Sequence, residues 1–308
     1  MPVELRPVST ELVLSRRRAV AALAIGGAAM VAGCSRNAGS RGHQGGWYAL
    51  LSDPHIAADP SAQLRGETMA DNLRAVVSDI LHADDPPHGV LIDGDLAFHH
   101  GGPGDYQTLL DAVHPLRRES LPLHLTLGNH DDRANLRAAI LGEGDPSRRF
   151  AEDKAVSTVS GPSLRFVLLD SQDGVNVTAG RLGDDQLVWL ARDLDAHGTT
   201  PTVVLVHHNI NARSESALRD TEALLNVLRP RGQAKAVVFG HTHVWNVREI
   251  DGIHMINLPA VGYRFLPKQP LGWVVLRPEP DGAELELRCI GGDRRQDRRR
   301  VSLRWRTG

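Results

Sequence analysis

Five apolar runs in this chain end in Asp, His and Asn, residue types able to bind metal ions. Tyr48-Ala49-Leu50-Leu51 leads into Ser52-Asp53-Pro54-His55, and Val90-Leu91-Ile92 leads into Asp93-Gly94-Asp95. Leu123-His124-Leu125-Thr126-Leu127 leads into Gly128-Asn129-His130-Asp131. Val203-Val204-Leu205-Val206 ends in His207-His208, and Ala236-Val237-Val238-Phe239 in Gly240-His241-Thr242-His243. Short apolar runs of this kind read as buried strands of an α/β protein, whose sites form beyond the carboxyl ends of the strands. Asp53, His55, Asp95, Asn129, His207, His241 and His243 would then meet at one rim. A single Asp or His at a strand end is more often a helix cap or a satisfied polar group. Seven together are a different matter. Two carboxylates, four imidazoles and an amide exceed what one tetrahedral ion takes, which points to a two-metal centre. Mixed nitrogen and oxygen donors suit Fe, Mn, Zn or Co better than Mg or Ca. Asp53 and His55 stand at i and i+2, as do His241 and His243, a spacing that puts both side chains on one side of an extended segment.

The elements that must position these residues follow from periodicity. Helix-like stretches run over Glu67 to His82, Tyr106 to Arg118, Asp184 to His197 and Ser214 to Leu228, where Leu73, Val76, Val77, Ile80 and Leu81 keep a helical spacing. Strands alternating with helices of this length predict an α/β architecture. Ser163 to Asp170 adds a strand, and its terminal Asp170 is assigned to structure. Gly272 to Arg277 and Glu284 to Ile290 flank Pro278-Glu279-Pro280-Asp281-Gly282, a hairpin signal. Asp293 to Arg306 is arginine-rich and reads as an edge strand with a solvated face, in preference to a patch for phospholipid headgroups.

The chain has 308 residues, 41% hydrophobic and 23% charged, enough for a substantial core in a soluble globular domain. Aromatic residues make up 4% and the net charge is −2, which argues against nucleic acid as a partner. With only two cysteines, Cys34 and Cys289, there is no disulfide framework, so a metal site must use oxygen and imidazole ligands.

Residues 1–33 read as an export signal rather than as part of the fold. Ser15-Arg16-Arg17-Arg18 precedes a short apolar run from Ala19 to Ala32, followed by Gly33-Cys34. The paired arginines resemble a twin-arginine signal. Val31-Ala32-Gly33-Cys34 resembles a lipoprotein box, in which Cys34 becomes the lipidated first residue and anchors the protein to a membrane. The apolar run falls short of the roughly 20 residues a spanning helix needs. Residues 34–46, rich in Gly, Ser and Arg, then read as a flexible tether, and 47–308 as one folded domain.

The ordered motifs Asp53-Pro54-His55, Gly94-Asp95, Gly128-Asn129-His130-Asp131, His207 and Gly240-His241-Thr242-His243 resemble those of the calcineurin-like metallophosphoesterases. The similarity runs from about Trp47 to Arg277 and leans to the bacterial branch that includes cyclic-nucleotide phosphodiesterases. The resemblance implies a four-layer α/β/β/α sandwich with two mixed β-sheets. It implies that Asp53, His55, Asp95 and His243 bind one metal and Asp95, Asn129, His207 and His241 the other, with Asp95 bridging. It implies hydrolysis of a small phosphodiester or phosphomonoester by hydroxide, with His130 as the catalytic histidine. Asp131 is a candidate to orient His130, because Phe98 stands where some branches place an Asp. His208 would help hold the site, His99 and His100 line the pocket or lie on a surface loop, and Arg133 and Arg264 are candidate phosphate contacts. A cyclic-nucleotide substrate is the alternative, although export argues for an ester outside the cytoplasm. A non-catalytic scaffold of the same fold is a further alternative, and the complete ligand set argues against it.

Overall fold

The computed structural model describes residues 46–141, 150–151, 154–211 and 214–307. The expected export signal, the lipidation site Cys34 and the tether up to residue 45 lie outside the described residues.

In chain order, β1 (Tyr48–Ser52) and a small hairpin, β2 (Gln63–Leu64) with β3 (Glu67–Thr68), lead into helix α1 (Met69–Leu81). Next come β4 (Gly89–Asp93), α2 (Pro103–Arg118), β5 (Leu123–Leu125) and α3 (Arg133–Leu141). A second small hairpin, β6 (Phe150–Ala151) with β7 (Lys154–Ala155), precedes β8 (Ser157–Ser160) and β9 (Arg165–Leu168). Then follow α4 (Asp184–Ala196), β10 (Thr202–Leu205), α5 (Thr221–Leu228), β11 (Ala234–Phe239), β12 (Asn246–Ile250) and β13 (Ile253–Asn257). The last strands are β14 (Pro270–Glu279), β15 (Gly282–Gly292) and β16 (Arg300–Arg304).

These strands build two mixed six-stranded sheets, ordered β16-β15-β14-β1-β4-β5 and β12-β13-β11-β10-β9-β8. In the first, β1, β4 and β5 are parallel and β14 runs antiparallel to β1. In the second, β9, β10, β11 and β13 are parallel, with β8 and β12 antiparallel at the edges.

Each central strand is buried on both faces, which is why it reads as an unbroken apolar run. Along β1, Tyr48 and Leu50 point between the sheets, where Phe166, Leu205, Val238, Val274 and Leu285 meet them. Ala49 and Leu51 point the other way, toward Leu73 and Val76 of α1 and Leu109 and Val113 of α2. Leu187, Leu190 and Leu194 of α4 and Leu224 and Leu228 of α5 cover Val204 and Val237 of the second sheet. The result is the expected four-layer α/β/β/α sandwich. Among the described residues no helix is long and apolar enough to cross a membrane.

Local departures from the expected elements have local causes. Helix α2 begins at Pro103 rather than Tyr106, because proline suits the first turn and the Asp105 carboxylate accepts the Gly102 N–H at 3.0 Å. The helix expected from Ser214 is confined to Thr221–Leu228. Ahead of it Leu218 bridges to Gly180, and the Asp220 carboxylate accepts the N–H groups of Leu182 at 2.9 Å and Gly183 at 2.8 Å. Those bonds tie the segment to the loop before α4 and leave it uncoiled. The β14–β15 turn is tighter than expected, since Pro278 stays in β14 opposite Ala283. Pairing with β1 has ended by then at Leu276, so the proline ring denies no partner an N–H. Strand β16 takes the edge position, and Arg300 pairs with Glu284 at 3.4 Å and Glu286 at 3.2 Å.

Candidate metal centre

The ends of β1, β4 and β5 in one sheet and of β10 and β11 in the other carry the predicted site residues, so the rim spans both sheets. The backbone there is not extended. Asp53 (φ 51°), His55 (49°), Asp95 (45°), His241 (66°) and His243 (56°) all adopt the left-handed conformation. This corrects the expectation of extended i, i+2 pairs. The chain must turn sharply off each strand while sending a polar side chain over the rim, and the left-handed region does both; Asp and His tolerate it better than most residues. Two motif glycines are required by space. A Cβ at Gly128 would stand 2.2 Å from Asp95 Oδ1, and one at Gly240 would stand 1.8 Å from Ser52 Oγ and 2.5 Å from Asp53 Oδ2.

The side chains converge. His55 Nε2 lies 3.2 Å from His243 Nε2, 3.8 Å from Asp53 Oδ1 and 3.7 Å from Asp95 Oδ2. His243 Nε2 is 3.3 Å from Asp53 Oδ1, and His207 Nε2 is 3.3 Å from Asp95 Oδ2. Donors sharing one ion at about 2.1 Å lie roughly 3.0–3.5 Å apart, so these spacings fit metal coordination. The donor atoms of Asp53, His55 and His243 lie within 4.8 Å of one another, as do those of Asp95, His207 and His241. A third such group is His55, Asp95 and His130.

Hydrogen bonds from outside the cluster set the rings. His207 Nδ1 donates to the Asp93 carbonyl at 2.9 Å and His243 Nδ1 to the Tyr263 carbonyl at 2.7 Å. Each ring thereby turns its Nε2 inward, the arrangement typical of metal-ligating histidines. Ser52 Oγ lies 2.5 Å from Asp53 Oδ2, which also accepts the His241 N–H at 3.0 Å. Asp95 Oδ1 accepts the His130 N–H at 3.0 Å. His207 Nε2 and Asn129 Oδ1 are buried with no hydrogen bond from the protein, as the donor atoms of a metal site would be.

The electrostatics agree. Burial pushes His55 down to about 3 and, with help from His207, His241 down to about 4, so both rings are neutral near pH 7. Burial works against ionising Asp53, but His243 and His207 outweigh it and hold the carboxyl well below its usual range. Asp95 is likewise buried and likewise held down by His207. Burial also opposes charging His207, yet Asp95 and Asp53 raise it well above the ordinary imidazole value. Ionised carboxylates flanked by imidazoles fit two metal ions.

The other expected residues divide. His130 sits at the open side, its ring 5.3 Å from that of His55. Asp131 does not orient it. Its carboxylate is fully buried and accepts the N–H groups of Leu96 at 3.1 Å, Ala97 at 2.9 Å and Gly128 at 2.8 Å, so it folds the loop instead. His130 Nδ1 instead faces Asn176 Oδ1 at 2.8 Å and the His99 carbonyl at 3.1 Å. Asn176 has no motif spacing to reveal it. The His99 ring meets that of His130 edge to face at 5.6 Å, and the His100 ring lies 5.8 Å from that of His99. His208 is buried behind the site, Nδ1 2.7 Å from Ser171 Oγ. Arg133 is not free for phosphate. It grips Asp170 through Nε at 2.6 Å and Nη2 at 2.9 Å, which confirms Asp170 as structural. Arg264 turns to Glu67 at 3.6 Å and to the Pro267 carbonyl. Two aromatic residues absent from the expectations, Tyr263 and Phe265, pack on His243 at 4.8 and 4.1 Å between ring centres.

Comparison with known proteins agrees with this geometry. The chain is 29% identical over 246 residues to a probable cyclic nucleotide phosphodiesterase of Synechococcus sp., covering 76% of this chain and 88% of that one. It is 31% identical over 225 residues to a cAMP/cGMP dual specificity phosphodiesterase of Mycobacterium tuberculosis, covering 70% and 68%. A dimetal phosphatase from Danio rerio superposes with a TM-score of 0.66 at 19% identity, covering 84% of this chain and 99% of that one. Residues 47–245 match the calcineurin-like phosphoesterase family. The chain belongs to that family of metal-dependent enzymes and is a hydrolase acting on ester bonds.

Proposed function

We propose that this protein is a two-metal phosphodiesterase whose substrates include 3′,5′-cyclic nucleotides. The observation that carries the reading is the completeness of the donor set at the rim shared by both sheets. The relatives named for cyclic nucleotides supply the substrate class. Asp53, His55, Asp95 and His243 would hold one ion and Asp95, Asn129, His207 and His241 the other, chosen from Fe, Mn, Zn or Co. The ions would supply the positive charge that polarises a phosphoryl group and activates water. The protein's own contribution is to fix the donors, exclude bulk water behind His207 and His208, and present His130 to the leaving oxygen. As water attacks phosphorus, releasing a proton to solvent, and the P–O bond breaks, His130 protonated on both ring nitrogens gives the Nε2 proton to the departing alkoxide and is left as the neutral ring. An assay of the purified protein against cyclic AMP, cyclic GMP, linear diesters and monoesters with each metal tests this. Hydrolysis of cyclic nucleotides that chelator abolishes is expected; turnover of monoesters alone would overturn it.

A second reading concerns place. The arginine cluster Arg16-Arg17-Arg18 and Val31-Ala32-Gly33-Cys34 support export and a membrane tether through a lipid on Cys34. At that location the substrate pool is extracytoplasmic diesters or monoesters, such as those scavenged for phosphate. Cys34→Ser should abolish lipid labelling, and Arg16→Lys with Arg17→Lys should trap precursor inside. Unprocessed full-length protein in the cytosolic fraction would remove this reading and leave cyclic nucleotides as the natural pool.

A further inference from the structure

We propose that Asn176 is a positioning residue, whose side-chain oxygen keeps the Nδ1 proton on His130 and so turns Nε2 toward the reacting ester. The inference rests on the reading of His130 as the leaving-group acid. A backbone carbonyl can only accept, so the His99 oxygen 3.1 Å from Nδ1 makes that nitrogen a donor. The Asn176 amide, 2.8 Å from the same Nδ1, must then present its oxygen. With Nδ1–H committed to two acceptors, Nε2 is the nitrogen left to exchange a proton. After transfer to the leaving oxygen the ring remains the neutral Nδ1–H tautomer, with its remaining N–H still satisfied.

The loop that carries Asn176 is built to hold it there. Asn176 adopts φ 58°, a conformation asparagine tolerates, and its N–H donates to the carbonyl of Asn129 at 2.7 Å. Gln172 Nε2 donates to the Gly128 carbonyl at 2.8 Å and also to that of Asp131. At the base of the loop Arg133 holds Asp170 and the Gln172 carbonyl. The metal-ligand loop and the Asn176 loop are therefore one bonded unit. Neither residue nearer in sequence does this work. Phe98 has no polar group, and the oxygens of Asp131 are taken by backbone N–H groups and Tyr106.

Asn176→Gly tests the idea, since glycine accepts the left-handed backbone while removing the oxygen. The variant should keep its metal content and lower kcat about tenfold for esters with alkyl leaving groups. KM should stay within about twofold, and an activated aryl diester that needs little protonation should lose less than about twofold. Asn176→Asp, which keeps an acceptor, should restore most of the loss. Combined with His130→Ala, Asn176→Gly should cost nothing further. In the metal-free protein at alkaline pH, nitrogen NMR should show His130 as the Nδ1–H tautomer, and Asn176→Gly should shift it toward a mixture. Equal losses on alkyl and aryl esters, a fall in metal content, or an unchanged tautomer would overturn the positioning role. A His130→Ala variant without leaving-group dependence would instead overturn the acid reading.

Discussion

Asp53, His55, Asp95, His241 and His243 reach the rim through left-handed backbone, which costs a non-glycine residue about 1–3 kcal/mol. The cost is offset where each residue also holds its neighbours, as Asp95 does. One of its oxygens accepts the His130 N–H, and the other stands 3.3 Å from His207 Nε2 and 3.7 Å from His55 Nε2. Asp95→Asn keeps the shape and the tolerance for left-handed backbone but removes the charge both halves share. Elemental analysis should therefore find both metals reduced; one tightly held ion surviving untouched would contradict a bridge. His130 should behave differently. His130→Ala should retain metal and lower turnover by roughly 10²–10⁴ on poor leaving groups. Concerted loss of metal and activity would make His130 a ligand, a role its place near His55 and Asp95 leaves geometrically open.

At the scale of elements, the connection from β9 to α4 joins the two sheets at the site. Its anchor is Asp170, wholly buried, whose carboxylate takes Arg133 and the N–H groups of Ala155 at 3.0 Å and Gln172 at 2.9 Å. Arg133→Met leaves that charge with backbone N–H groups and only the longer contact to Lys154 Nζ at 4.0 Å, and should cost about 3 kcal/mol, read from urea unfolding. A loss under about 0.5 kcal/mol would show that the pair acts as a surface ion pair. The same connection shows what sequence can carry. Strands buried on both faces and ending in Asp, His and Asn are local patterns, so the α/β architecture and the metal-binding rim could be read directly, whereas the four-layer sandwich followed from the family resemblance. Asn176 lies 46 positions from His130, and only the packing of one sheet's loops on the other's brings them together. Helix α3 is equally hidden, because Leu136, Ala139 and Ile140 face the core within only 9 residues, too short a stretch for the periodicity to stand out. The helix expected from Ser214 failed for the opposite reason. Its local pattern was helical, and hydrogen bonds of Asp220 to a distant loop prevailed.

For the whole molecule, the donors come from both halves of the sandwich. Asp53, His55, Asp95 and Asn129 follow strands of the first sheet, and His207, His241 and His243 follow strands of the second. Metal bound there would clamp the sheets at one end, while the apolar layer of Tyr48, Phe166, Leu205, Val274 and Leu285 joins them along their length. That layer is continuous and wholly buried, so the sheets should remain one cooperative unit without metal. An ion at a hundred times its dissociation constant stabilises a fold by about 2.7 kcal/mol. Two would contribute about 5 kcal/mol, or roughly 10–20 °C in Tm for a domain of this size. Calorimetry of the protein with saturating metal and after chelation should therefore show a drop of that order and a single transition in both states. Two separate transitions after chelation would mean that the metal centre, and not the layer between the sheets, makes the fold cooperative. An unchanged Tm would mean that the rim holds no ion tightly enough to matter for the fold.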